Sequence, residues 1–286
     1  VSGGRYTGTV EDPVPEQMRT AAAAFLAALD EPARDAARHA FDDEPARRWL
    51  EYRPRPRPGV TLAGLDVTAR KAAHRLLATA LSPAAYAQAM AVMALEEVLD
   101  RAEDWRRGRH SGDYWVAVFG DPARDDDWAW RFEGHHLSVS MTVADDRVSP
   151  APVFLGANPA TVRHSGRPVS RPLGPEEDLA RELLDVLGPA GRSAAIIAEE
   201  APADIISATR ATAPGRLDPP GVPEGGCGPP AGRCSTGWSR STWTGCRRSW
   251  RPGRPTGSTA ASCTSPGPAR SSRAGGTTTG CRATTC

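Results

Sequence analysis

WAWRFEGHHLSVSMTV, residues 128–143, decides the fold of this chain. It carries the strongest strand signal in the sequence and places two histidines, a glutamate and an arginine inside it. Side chains alternate along a strand, so Trp128, Trp130, Phe132, Gly134 and His136 share one face, and Arg131, Glu133, His135, Leu137, Val139 and Met141 share the other. The apolar set changes face at Gly134. A glycine at that crossing fits a bulge, which adds one residue and rotates everything beyond it, so that the aromatic and aliphatic halves face one core. Without a bulge His135 and His136 point to opposite faces and cannot share one metal, whereas Glu133 and His135 stand together. Two uses follow. In one, His135 or His136, helped by Glu133, binds a divalent metal or moves a proton. In the other, the histidines hydrogen-bond locally and Arg131 pairs with Glu133 across the sheet surface. A catalytic metal generally takes three protein ligands plus an open position, which two histidines and a carboxylate do not complete.

Working outward, YWVAVFG at 114–120 reads as a buried strand, followed by a turn at Asp121-Pro122. Asp125, Asp126 and Asp127 read as a solvated turn. Beyond the central stretch, Asp145-Asp146 marks a hairpin turn, and PAPVFLGANPATV at 150–162 supplies another strand. Helices flank this region. Residues 16–29 and 33–39 form the first two, with Asp30-Glu31-Pro32 closing the former and a break at 42–45. RPRPRPG at 53–59 forces extended backbone and reads as a surface connector, with a ligand for a recognition domain as the alternative. Asp66 or Thr68 caps a helix through Leu81, and Ser82-Pro83 restarts one that runs to about residue 104. In it Tyr86, Met90, Met93 and Val98 fall on one buried face. Glu96-Glu97 reads as a solvated edge rather than a catalytic dyad, because adjacent helical residues point about a hundred degrees apart. Further helices cover 175–187 and 193–200. This order predicts an α+β fold: a helical N-terminal part and a small, mainly antiparallel sheet at about 113–165, packed by helices.

Composition excludes more than it selects. The net charge is +1 and 40% of residues are hydrophobic, so a core can form and nothing directs the chain to nucleic acid or an anionic membrane. No apolar run approaches the roughly 20 residues that span a bilayer, and the N-terminus lacks a signal-peptide pattern, which makes the cytoplasm the default location. The first residues, VSGGRYTGTV, lack an initiator Met and suggest an alternative start codon or a lost leader. All six cysteines lie at 227 or later, with no C-x-x-C spacing to indicate zinc.

The segments YWVAVFGDP, WAWRFEGHHLSVSMTV and PVFLGANPATV resemble a bacterial family known as domain of unknown function 3500, with weaker similarity in the helices on either side. The resemblance covers roughly residues 10–220. Ser140 stands where members commonly have Asn. The family's second cluster, an Asn-rich stretch leading to two histidines and a Trp-Arg-Asp sequence, is missing from this chain. The resemblance thus implies that His135 and His136 are half of a composite site, and it brings no established reaction.

From Cys227 onward only Cys, Gly, Pro, Ala, Arg, Ser, Thr and Trp occur. All have codons with G or C in the second position, as a GC-rich gene yields when third positions are read as second. Joining the last base of each codon to the first two of the next makes Trp243-Thr244 encode Asp, and turns every Gly-Trp, Thr-Trp, Arg-Cys or Gly-Cys step into Leu, Val or Met. Residues 233–246 can then be read as Leu-Leu-Asp-Arg-Leu-Val-Glu-Val-Tyr-Leu-Asp-Arg-Leu, an amphipathic helix. The final GTTTGCRATTC is compatible with His-Tyr-Tyr-Arg-Leu-Gln-Gly-Asp-Asp-Leu. The alternative is a natural low-complexity tail. On either reading residues 1–226 are expected to form one α+β domain, incomplete for its family, and residues 227–286 a disordered tail.

Three functional expectations result. The first is a metal-assisted enzyme acting on a small molecule, with Glu133, His135 and His136 at its centre, His135 and His136 as metal ligands, and Arg131 as an anion contact. The second is a non-enzymatic binding protein whose Trp128, Trp130 and Phe132 form a ligand or partner surface. The third is an inactive product of the shifted frame.

Overall fold

The computed structural model of the chain describes residues 13–108, 110–205, 207–210, 215 and 221–223. The expectations for residues 227–286 lie outside them.

Helix α1 (Val14–Ala27) carries Pro15 in its first turn, where the missing N–H leaves no hydrogen bond unmade. Asp30 does more than close it: its carboxylate accepts the Ala33 N–H at 2.9 Å and caps α2 (Glu31–Ala37). A two-residue strand β1 (Arg38–His39), the short helix α3 (Glu44–Arg47) and a second short strand β2 (Val60–Thr61) follow. The long helices α4 (Val67–Ala80) and α5 (Pro83–Ala102) start where their caps predict, on Asp66 and Ser82. The strands β3 (Tyr114–Phe119), β4 (Trp128–Gly134), β5 (Leu137–Ala144) and β6 (Arg147–Leu155) form the antiparallel body of the sheet. β7 (Val162–His164) and β8 (Arg167–Ser170) make a separate hairpin, and α6 (Gly174–Val186) and α7 (Gly188–Ala195) come last. The helix expected at 193–200 begins earlier because Gly188, at φ +67°, ends α6 and Pro189 restarts a helix at once.

The sheet runs β1-β3-β4-β5-β6, with β2 also paired to β3. β1 is parallel to β3, so the sheet is mixed but mostly antiparallel, and two of its strands come from the N-terminal half. The architecture is α+β. Helices α1, α4 and α5 supply Met18, Phe25, Leu76, Leu77 and Val92 to a core with Trp128, Trp130, Phe132, Leu137, Val139, Met141 and Val143. Of the expected buried stripe on α5, Met93 is buried and Tyr86 and Met90 are half-buried, but Val98 is exposed. The face that turns inward is Ala85, Ala89, Val92, Glu96 and Asp100.

The deciding stretch is a hairpin, not one bulged strand. Gly134 pairs with Leu137 across a two-residue turn formed by His135 and His136, the second at φ +58°. The turn performs the change of face assigned to a bulge, because the returning strand meets Trp130 with Met141 and Phe132 with Val139. Gly134 has another cause: a Cβ there would run into the Tyr114 ring. The irregularity in register lies farther along, between Val139 and Met141 against β6, where Pro150 and Pro152 are tolerated on an edge strand. Asp145 and Asp146, both with positive φ, form the second hairpin turn as expected.

Candidate functional site

Both faces of β4 are buried, so its charged residues lie in the interior. Opposite the helical core, Arg131 and Glu133 are covered by the proline-rich segment, which therefore is not a plain surface connector. It carries Arg57 inward, with its Nε 3.2 Å from Glu133 Oε2, and neither side chain is exposed. Arg57 is held there by carbonyls of its own segment, donating to Glu51 O at 2.6 Å and Arg53 O at 2.6 Å. Glu133 Oε1 accepts the Glu51 N–H at 2.9 Å and the Ser138 hydroxyl at 2.8 Å. Arg131 Nε lies 3.6 Å from Glu133 Oε2, while its other nitrogens donate to Ala46 O and, at 3.2 Å, to Pro58 O.

The expected pairing of Arg131 with Glu133 exists, but buried rather than on the sheet surface. Burial pushes Glu133 above the ordinary carboxylate range against the pull of Arg131, the Glu51 N–H, Ser138 and Arg57. It also draws both arginines downward. Every polar atom of this cluster faces the protein, which is the pattern of a structural anchor tying residues 51–58 to the sheet. Trp128 and Trp130, 0% and 1% exposed, are core residues and form no surface.

The histidine turn is built differently. Tyr114 donates its hydroxyl to His135 O at 2.9 Å. The His136 N–H donates to Tyr52 O at 2.9 Å, and His136 O accepts the Gly156 N–H at 2.7 Å. A Cβ at Gly156 would sit 3.2 Å from the His136 ring, so the glycine allows β6 to close against it. The turn is thus pinned on three sides by β3, by the segment at Tyr52 and by the end of β6.

His135 has a partner that sequence reasoning missed. Its Nδ1 makes a close hydrogen bond with Glu96 Oε1, from the middle of α5. Glu96 is buried, and only its neighbour Glu97 behaves as an exposed edge, accepting the Ser111 N–H and hydroxyl. The sole signal was that Glu96 shares the Ala85-Ala89-Val92 face of α5. A carboxylate that is ionised only accepts, so in a neutral ring this contact would set the proton on Nδ1 and leave Nε2 with its lone pair. Asp113, whose carboxyl burial raises above its usual range with a further push from Glu96, adds negative field on this side. The His135 side chain keeps 9% of its surface, whereas Glu133 keeps none.

The rings of His135 and His136 stack, with centroids 3.9 Å apart and 30° between planes. An ion in the plane of one ring therefore lies well out of the plane of the other, so the pair does not converge on a single metal. Among the described residues, no group of three or more His, Cys, Asp or Glu side chains is arranged to hold an ion. Beside the turn, Tyr52 stacks on Phe154 at 5.0 Å and donates its hydroxyl to Asp204. Burial and that carboxylate push the Tyr52 phenol up to about 12. The structure thus joins His135 to His136 and Glu96, and separates Glu133, Arg131, Trp128 and Trp130 from them.

Among the described residues no helix is long and apolar enough to cross a membrane. No curated protein and no solved structure matches the chain. A family model described as "Protein of unknown function (DUF3500)" matches residues 11–228, more than half of the sequence. The chain belongs to that family.

Proposed function

We propose that the protein acts on a small molecule at the His135-His136 turn, with His135 Nε2 as the group that accepts and returns a proton. One observation carries this reading: the buried Glu96 carboxylate reaches His135 Nδ1 across 39 residues of sequence. A carboxylate on one imidazole nitrogen fixes the ring and its tautomer and stabilises the imidazolium that forms when the other takes a proton. Glu96 is then a positioning residue, and His136 flanks the reacting nitrogen. Glu133 and Arg131 support the scaffold beneath.

A second reading rests on the same contact. A metal-bound histidine commonly donates its free N–H to a carboxylate, so His135 Nε2 could hold a divalent ion with Glu96 behind it. Its remaining ligands would have to come from outside the described residues. A purely aromatic binding surface has no support, since the tryptophans are core.

The test is a panel of chromogenic carboxylic, phosphate and lactone esters, run with wild-type protein, His135→Gln and Glu96→Gln, each with EDTA and with added zinc. Loss of turnover in both variants, indifferent to chelator, agrees with proton transfer. Turnover restored only by zinc favours the metal reading. A panel hydrolysed equally well by His135→Gln refutes both.

A further inference from the structure

We infer that Asp100, with Glu96 and Asp113 beside it, forms a subsite for an alkylammonium group next to the histidine turn. The inference deepens the reading of His135 as the proton acceptor by naming what its small molecule carries, and it rests on that reading for its link to a reaction. Asp100 lies in the last turn of α5 and is 4% exposed. Its Oδ1 is buried and has no hydrogen-bond partner among the described residues. An unpaired buried carboxylate oxygen is costly, and a native protein that keeps one gives it a purpose.

The position of Asp100 adds to that cost. A helix C-terminus carries roughly half an elementary negative charge, which repels a carboxylate and attracts a cation. Arg101, the basic residue of the same turn, is exposed. Glu96 stands four residues earlier on the same buried face, a spacing that sets Cβ atoms about 5–6 Å apart. Helical side chains lean toward the N-terminus, so Asp100 leans over the turn that Glu96 occupies.

Asp113 completes the group. Its loop is fastened to α5 by Ser111, whose N–H and hydroxyl both donate to Glu97 Oε1 at 2.9 Å. Burial, with Glu96 and Glu97 adding to it, lifts the Asp113 carboxyl against the pull of His110. Two histidines adjoin these carboxylates and both are engaged. His135 Nδ1 holds Glu96, and His110 Nδ1 accepts the Gly112 N–H at 2.8 Å. The half-buried Asp113, close to the exposed His110, is the edge of the group that reaches solvent.

The chemistry selects the ligand. No three described His, Cys, Asp or Glu side chains are arranged to hold a metal ion. An alkylammonium needs no such convergence on one point. It presents three N–H donors and no acceptor, and each donor makes a charge-assisted bond of about 2.7–2.9 Å to a separate oxygen.

The experiment reads binding rather than turnover, so its failure and that of the proton-transfer reading are told apart. The full chain is titrated with n-butylammonium, tetramethylammonium and n-butanol at constant ionic strength and neutral pH. Amide resonances of Asp100, Asp113 and His135 are followed by NMR. The expected result is saturable binding of n-butylammonium at these positions and of neither other probe, since tetramethylammonium has no N–H and butanol no charge. Asp100→Asn, which removes the uncompensated charge at constant shape, should weaken binding at least tenfold without lowering the thermal midpoint. Asp113→Asn, at a half-buried position, makes the same test if the first variant does not fold, and should weaken binding at least fivefold. Shifts that never saturate overturn the inference, as do equal binding of tetramethylammonium or unaltered affinity in the variants. Magnesium or zinc that shifts Asp100 and displaces n-butylammonium assigns the group to a metal and also overturns it.

Discussion

Glu133→Gln separates a structural carboxylate from a catalytic one. The change keeps the shape and removes the charge. In the native protein that carboxylate stands against Arg57 at 3.2 Å and Arg131 at 3.6 Å, with all three side chains at 1% exposure or less. The glutamine amide would direct N–H groups toward guanidinium N–H groups if its nitrogen replaced Oε2, or toward the Glu51 N–H and the Ser138 hydroxyl if flipped. Breaking a buried ion pair on one side costs about 3–5 kcal/mol. Both arginines keep carbonyl acceptors, at Glu51, Arg53, Ala46 and Pro58, which places the expected loss near the lower end, about 3 kcal/mol. Against a typical domain stability of about 5–15 kcal/mol that is a large fraction. Urea unfolding followed by tryptophan fluorescence should show the midpoint falling with the slope unchanged. Adding Arg57→Met should recover part of the loss, since it removes one of the two uncompensated charges. A Glu133→Gln protein within 1 kcal/mol of wild type would refute the anchor and return Glu133 to the list of residues kept for chemistry.

Gly134→Ala should lower stability by about 1–3 kcal/mol, because its Cβ overlaps the Tyr114 ring; a thermal midpoint equal to wild type would refute the close approach. The Tyr52 phenol is raised to about 12, so in an absorbance titration it should ionise about two units above an ordinary tyrosine. By linkage, its contribution to stability is fully present below about pH 10 and is lost as pH rises through about 12, a loss Tyr52→Phe should not show; identical alkaline unfolding of the two proteins would contradict this. Ser140→Ala should change urea stability by less than about 1 kcal/mol, since the buried Ser140 Oγ has no hydrogen-bond partner among the described residues, and a larger loss would reveal one.

The longer helices, the central strands and the fold class are legible in the sequence, because those follow from short-range physics; β1, β2, α3 and the β7–β8 hairpin are not. Asp66 and Ser82 mark helix starts through their own side chains. The Asp145-Asp146 turn is set by two adjacent residues that tolerate left-handed backbone. The aromatic and aliphatic halves of residues 128–143 were correctly assigned to one core by alternation. The device that unites them is not legible, since a bulge and a two-residue turn leave the same apolar pattern, and only strand pairing tells them apart.

The candidate site was half legible. His135 and His136 stood out as residues, but the carboxylate that serves His135 is Glu96, which lies on a helix and resembles a solvated edge until that helix packs on the hairpin. Arg57, inside a proline-rich basic run, reads as exposed and becomes fully buried because Glu133 waits beneath it. Which charges meet is decided by contacts between segments dozens of residues apart. Periodicity carries no information about such contacts, and only the packed tertiary structure does.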